Sequence, residues 1–396
     1  MSHSLSERQL ILILASLSAI SPLSIDMYLP AFPSIASDLH TSIPNVEFSL
    51  SLFFFGIAMG QLFGGPISDA YGRKPLISIG LILFGLSSFA LIFTHDITLF
   101  WILRAIQSFG GGIATVNVSA TVRDRYEGKE SARVFSLIAM IMLTAPLIAP
   151  TLGALFLKLF SWRSIFVFLC VYAFMILTIY FFFFPKGVQT STKITPFQNY
   201  KRVLSHKTAM VLIVSQILCS SGMYTFITSS SFIYMEHFHI GATLFSFFFA
   251  SNVILLMLTG RLNAHLVKRI EPFYLLRFGM VLQAFLGFLL FILRDQSITF
   301  IFPLIMLYIG SLGFIFSNSV SLTLEFFPNI SASANAIIGV LQYSMGALMG
   351  FVASFLHDGT LLPVMGVMMG VSLCSVTLFL VGVRNDAFHH HATPAS

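Results

Sequence analysis

Twelve mainly apolar runs, each about as long as a bilayer is thick, constrain this chain more than any other feature. They lie at residues 9–31, 46–67, 75–94, 97–121, 133–157, 162–184, 209–233, 241–262, 272–293, 297–322, 332–355 and 360–383. A helix needs about 20 mainly apolar residues to cross the hydrocarbon core. There every peptide group must find its partner inside the protein, which leaves only helices and closed barrels. The runs are too long, and too free of alternation, to be barrel strands. Charged residues are 9% of the 396-residue chain, and mean hydropathy is +0.91. Soluble domains carry about 25% charged residues. The expected fold class is an all-α membrane protein with twelve transmembrane helices.

Charge placement predicts the topology. Lys and Arg gather in alternate loops: Arg73 and Lys74; Arg123, Arg125, Lys129 and Arg133; Lys186, Lys193, Lys201, Arg202 and Lys207; Arg261, Lys268, Arg269 and Arg277. The intervening loops hold Lys158, Arg163 and Arg294. By the positive-inside rule both termini are cytoplasmic. The net charge of +6 follows this topology and is no nucleic-acid footprint. The first run is too long for a signal core and contains Asp26, so it is expected to be retained. Cys170, Cys219 and Cys374 fall within apolar runs, where small-residue packing is the expected role and no disulfide framework is expected.

Two charges break the apolar pattern. Arg104 sits about two turns into the fourth run, followed by Gly110, Gly111 and Gly112, which admit a close neighbouring helix. A guanidinium stays charged at any working pH, and burying it in hydrocarbon costs at least ~2.5 kcal/mol. Asp26 lies near the end of the first run, at about the depth of Arg104. The two are expected to pair, either as an architectural clamp or as a proton-coupling site. Glu47 is expected at the membrane boundary. The histidines, including His40, His95, His206, His237, His265 and His357, fall in loops or near helix ends.

Between the second and third runs the chain reads Gly65-Pro-Ile-Ser-Asp-Ala-Tyr-Gly-Arg-Lys-Pro. Gly72 suits a tight turn, and Asp69 is placed to pair with Arg73 or to face a helix N-terminus. A degraded copy follows about 195 residues later, Gly260-Arg-Leu-Asn-Ala-His-Leu-Val-Lys-Arg, with Ala264 at the place of Asp69 and Val267 at that of Gly72. The first copy resembles the loop of the major facilitator superfamily. That resemblance implies two pseudo-symmetric six-helix bundles: residues 1–184, a cytoplasmic linker at 185–208, and 209–396 ending in a short cytoplasmic tail. It also implies gating roles for Gly65, Asp69, Gly72 and Arg73.

Three stretches narrow the likeness: Leu23-Ser-Ile-Asp-Met-Tyr-Leu-Pro; Arg104-Ala-Ile-Gln-Ser-Phe-Gly-Gly; and Ala145-Pro-Leu-Ile-Ala-Pro-Thr-Leu-Gly-Ala, followed by Ser161-Trp-Arg. Together they resemble the bicyclomycin/chloramphenicol-resistance (Bcr/CflA) branch of drug:proton antiporters. Ser108, Ala149 and Ala154 stand where that branch usually has glycine. The resemblance implies a multi-pass protein of the bacterial inner membrane that exports small amphipathic compounds by alternating access. It assigns proton coupling to Asp26 and Arg104, and gating to Pro146, Pro150 and Gly153.

Tyr28, Gln107, Tyr224, Asn252, Gln342 and Tyr343 are the polar residues taken as candidate substrate contacts. Helices seven to twelve carry no charge near mid-depth. The rival reading is a dedicated exporter of one metabolite or siderophore. An intramembrane enzyme is disfavoured, because neither a His-Glu-x-x-His motif nor a Ser/His pair at membrane depth occurs. No cofactor or metal is expected, with the proton as coupling ion. The expected partners are a drug-like molecule, protons and the lipid bilayer, and the expected state is a monomer.

Overall fold

The computed structural model describes residues 7–126, 128–183, 196–328 and 330–383. The rest of the linker and the tail, with His389, His390 and His391, lie outside the described residues. Long apolar sequence closes its own backbone hydrogen bonds as helix. Accordingly α1 (Glu7–Asp26), α2 (Phe32–Asp38), α3 (Ile43–Tyr71), α4 (Arg73–Leu91), α5 (Ile97–Arg125), α6 (Gly128–Leu159) and α7 (Arg163–Phe183) fill the first half. A short α8 (Pro196–Leu204) lies in the expected linker. The second half holds α9 (Lys207–Ser231), α10 (Ala242–Leu266), α11 (Pro272–Ile292), α12 (Ile298–Gly310), α13 (Leu312–Glu325), α14 (Ser331–Phe355) and α15 (Leu362–Gly382). Among the described residues, twelve helical spans are long and apolar enough to cross a membrane, matching the twelve runs.

Helix α1 ends at Asp26, ahead of Pro30 and Pro33. A 3-10 turn at Leu29–Ala31 leads directly into α2, with each proline in a first turn. A first-turn proline forfeits no helical hydrogen bond. The tenth span is broken at Ser311, whose Oγ donates to Tyr308 O at 2.7 Å.

The chain packs as two units, Met1–Ile194 with Thr228–Ala250 and Gly350–Leu356, and Thr195–Ile227 with Ser251–Met349 and His357–Ser396. The last turn of α9, the start of α10 and the end of α14 belong to the first unit.

In the first unit, glycines set the crossings of α3, α4 and α5. A Cβ at Gly112 would lie 2.5 Å from Ile57 O, and one at Gly110 would lie 2.5 Å from Gly80 O. Backbones this close exclude any side chain, as the glycine run in the fourth segment predicts. In the second unit, Leu212, Cys219, Leu276, Met280, Ile315 and Phe379 form an apolar core. Cys219 Sγ lies 3.0 Å from Ser375 Oγ, whereas Cys374 is exposed rather than packed.

The degraded loop copy keeps a polar tie that its lost aspartate would not suggest. Asn318 Nδ2 on α13 donates to Asn263 Oδ1 on α10 at 2.7 Å. Ser68, at the matching place in the first copy, donates to Asn117 on α5. Removing one asparagine leaves a buried amide partner unsatisfied. A double-mutant cycle of Asn263→Leu and Asn318→Leu, read by thermal unfolding in detergent, should give a coupling of about 0.6–1.7 kcal/mol. Additive losses would show the tie to be energetically silent.

Candidate functional site

Arg104 on α5 is wholly buried, at 0% exposure. Its Nη1 donates to Gln107 Oε1 at 2.7 Å, one turn on, and its Nη2 donates to Ser24 O on α1 at 3.2 Å. Gln107 Nε2 then donates to Ser88 Oγ at 2.8 Å, and Ser88 Oγ to Phe84 O at 2.7 Å. The donors thus run in one direction from the guanidinium into α4. Aromatic faces enclose the charge, with Phe53 at 4.2 Å and Tyr28 at 4.4 Å from the guanidinium carbon. Desolvated cation–π contacts of this kind contribute about 2 kcal/mol. The Tyr28 hydroxyl is 3.1 Å from Val46 O and bonded to Ser49, which fixes the ring against α3. Nε of Arg104 has no partner.

Asp26 is also buried, at 4% exposure, but it makes no ion pair with Arg104 in this structure. The expected contact is therefore absent, and helical phase explains why. Ser24 on α1 and Tyr28, in the αR turn that follows its last residue, are four residues apart and fall on one side of the chain. At about 100° per residue, Asp26 lies about 200° round from Ser24. The residues that hold Arg104, namely Ser24, Phe53, Ser88 and Tyr28 through its ring, could have been found from this i, i+4 phasing and from the polar residues of α4.

The turn after Asp26 is pinned from the other side by α6. A Cβ on Gly153 would lie 1.8 Å from Met27 O, so only glycine fits there. Pro150, one turn earlier, accepts at its O from Ser246 Oγ at 3.0 Å. Pro146 lies in the same unbroken helix. Nearby, Ser231 Oγ donates to Leu29 O at 2.6 Å. Trp101 Nε1 donates to Asn45 O at 2.7 Å, while Phe48 sits 4.9 Å from the Trp101 ring and 5.5 Å from the Phe351 ring. These contacts close the end of the first unit that lies away from Glu7. Glu47 is inside them. It is 1% exposed rather than solvated at a boundary. Residue spacing alone did not reveal which face of α3 it occupies.

The loop motif forms a charged cluster at the opposite end. Gly72, with φ +95°, ends α3 and starts α4. Arg73 is bonded to Asp69, to Asp124 Oδ2 at 3.1 Å and to Ser68 Oγ at 2.7 Å. Gly65 stands apart from this tight packing, its nearest prospective contact being 4.0 Å away.

The remaining polar candidates fall into two groups. Tyr28 and Gln107 are buried and committed to Arg104 in this arrangement. Tyr224, Gln342 and Tyr343 meet in the second unit. Gln342 Nε2 donates to the Tyr224 hydroxyl at 3.2 Å, and the two tyrosine rings are 5.6 Å apart. Asn252 is 2% exposed with neither its Nδ2 nor its Oδ1 partnered. Buried amides are normally satisfied, so Asn252 is a vacant hydrogen-bonding group.

A family model described as Major Facilitator Superfamily matches residues 14–354. The chain is 29% identical over 378 residues to a bicyclomycin resistance protein homolog of Haemophilus influenzae, covering 93% of this chain and 94% of that protein. It is 26% identical over 377 residues to the multidrug resistance protein MdtL of Citrobacter koseri, covering 94% and 96%. Among solved structures it resembles a D-xylose-proton symporter, with TM-score 0.76 and 14% identity over 94% of this chain and 98% of the other. That last likeness is one of fold alone.

Proposed function

Because this chain belongs to the Major Facilitator Superfamily, a family of multi-pass membrane transporters, we propose that it is a proton-coupled antiporter. It exports small amphipathic compounds, antibiotics among them, by alternating access. The observation that carries this reading is the arrangement around Arg104: a wholly buried cation held by neutral groups, with the buried acid Asp26 two residues from its partners on α1. The names of the relatives, bicyclomycin resistance and multidrug resistance, support the substrate class.

The chemistry follows from which groups Arg104 meets. A carboxyl far from any cation in a desolvated site keeps its proton, and one brought against a guanidinium gives it up. Pro22 lies inside α1 and removes the backbone donor to Ser18 O. The segment after it is therefore where α1 can turn once its contacts with Arg104, α3 and α6 are released. Turning it exchanges the Ser24/Tyr28 face for Asp26, which then meets Arg104 and releases a proton. Turning back reloads it. Asn252 and the Tyr224–Gln342–Tyr343 group supply neutral hydrogen bonds for a drug-like molecule, and the 44 Phe and 17 Met of the chain supply adaptable apolar surface. The protein works as a monomer in a bacterial inner membrane, with both termini cytoplasmic and no cofactor besides the proton.

Asp26→Asn in proteoliposomes should abolish flux driven by a pH gradient while leaving the folded protein intact. Flux unchanged from the parent would refute the proton-coupling reading.

A further inference from the structure

Glu47 has no part in the chemistry above, yet it is the other acid buried within a span. Its Oε1 has no hydrogen-bond partner, and Ser229 Oγ lies 3.5 Å from its Oε2. The Phe232 amide also faces the carboxyl. Among the described residues, the titratable groups that act on it are Glu236, which is negative and exposed, and Tyr28, whose ring is covered by Arg104. No cation acts on it directly. An ionised carboxylate sealed here would lack both water and a counter-charge, at a cost of several kcal/mol. The neutral acid fits, because its own proton supplies the donor that Ser229 or a backbone oxygen can accept.

Ser229, Phe232 and Glu236 sit on the last turn of α9 and the π-helical segment after it. The contacts that seal this end of the first unit surround Glu47: Ser231 to Leu29 O, Trp101 to Asn45 O, and Phe48 to Phe351. We propose that Glu47 is a second proton-binding site of this carrier, and that this end closes only when its carboxyl holds a proton. Ionised Glu47 requires water, so the contacts around it separate. Protonated Glu47 accepts the dry environment, so they reform. The site rests on the transporter reading but is distinct from Asp26. It makes closure of this end a proton-binding event in its own right.

Trp101 lies within the seal and is one of two tryptophans in the chain. In a Trp162→Phe background it is the sole tryptophan, excited selectively at wavelengths beyond tyrosine absorption. The full-length protein in lipid nanodiscs is titrated from acid to alkaline pH, and quenching of Trp101 by iodide is followed. Quenching should rise with pH in the parent. Glu47→Gln, which mimics the neutral acid, should hold quenching at its low-pH level throughout. Asp26→Asn and Glu236→Gln should keep the transition.

In weakly buffered solution, Glu47→Gln should also bind about one proton fewer per chain than the parent over the same interval. This second readout does not depend on the tryptophan background. A parent without the transition, or a Glu47→Gln protein that titrates like the parent by both readouts, would overturn the proposal. If Asp26→Asn transports normally while Glu47→Gln loses the transition, the antiport reading falls and the Glu47 site stands.

Discussion

Gly153→Ala is expected to reduce pH-gradient-driven transport by about 100-fold or more, the scale on which a 1 Å misplacement acts at a working site. The added Cβ would lie 1.8 Å from Met27 O and 2.7 Å from the Met27 carbonyl carbon. Backbone atoms have no rotamer with which to yield, so α6 or the turn after α1 must move. That turn carries Asp26 on one side and Tyr28, the ring beneath Arg104, on the other. The displacement therefore reaches both charges of the proposed coupling site. Gly65→Ala is the matched control, because its new methyl meets nothing closer than 4.0 Å. Uptake in everted vesicles, normalised to the amount of protein in the membrane, measures both. Equal activity of the two variants would show that contact at Met27 is not what the glycine protects.

Arg104→Lys should be nearly as inactive as Arg104→Ala, and both should unfold at lower temperature than the parent. The guanidinium spans two acceptors, Gln107 Oε1 and Ser24 O, while its carbon lies close to the Phe53 and Tyr28 rings. A lysine ammonium is a compact point charge without the planar fork that makes such contacts together. Each buried acceptor left without its donor costs about 1–3 kcal/mol. Thermal unfolding in detergent reads the stability loss, and drug susceptibility of an efflux-deficient host reads the function. A lysine variant that confers wild-type resistance would show that charge alone suffices there.

The spans were legible because length and apolarity decide them with little help from tertiary contacts. The break at Ser311 was not, since one hydroxyl folding back on Tyr308 O leaves no trace in hydropathy. Arg104 stood out as a candidate site residue because a permanent charge in an apolar run has few innocent explanations. Its partners were misread because depth along the axis was matched while angle around it was ignored. Asp26 has the right depth and the wrong azimuth. Glu47 was assigned to water because it lies one turn into α3, and only the packing of the Ser229–Glu236 segment takes that water away. The Asn263–Asn318 tie was hidden because the eye follows the missing aspartate of the second loop rather than the neutral amide beside it.

Among the described residues, the deeply buried Asp, Glu, Lys, Arg and His side chains are Asp26, Glu47 and Arg104, and all three belong to the first unit. The buried polar side chains of the second unit are neutral ones, Ser, Thr, Asn, Gln and Tyr. An electric field across the bilayer exerts force on net charge, about 2.3 kcal/mol per elementary charge for each 100 mV traversed. Membrane voltage therefore grips one unit and leaves the other electrically passive. Any capacitive current recorded as the carrier cycles without cargo should vanish when those three side chains are neutralised, whatever is done to the amides opposite.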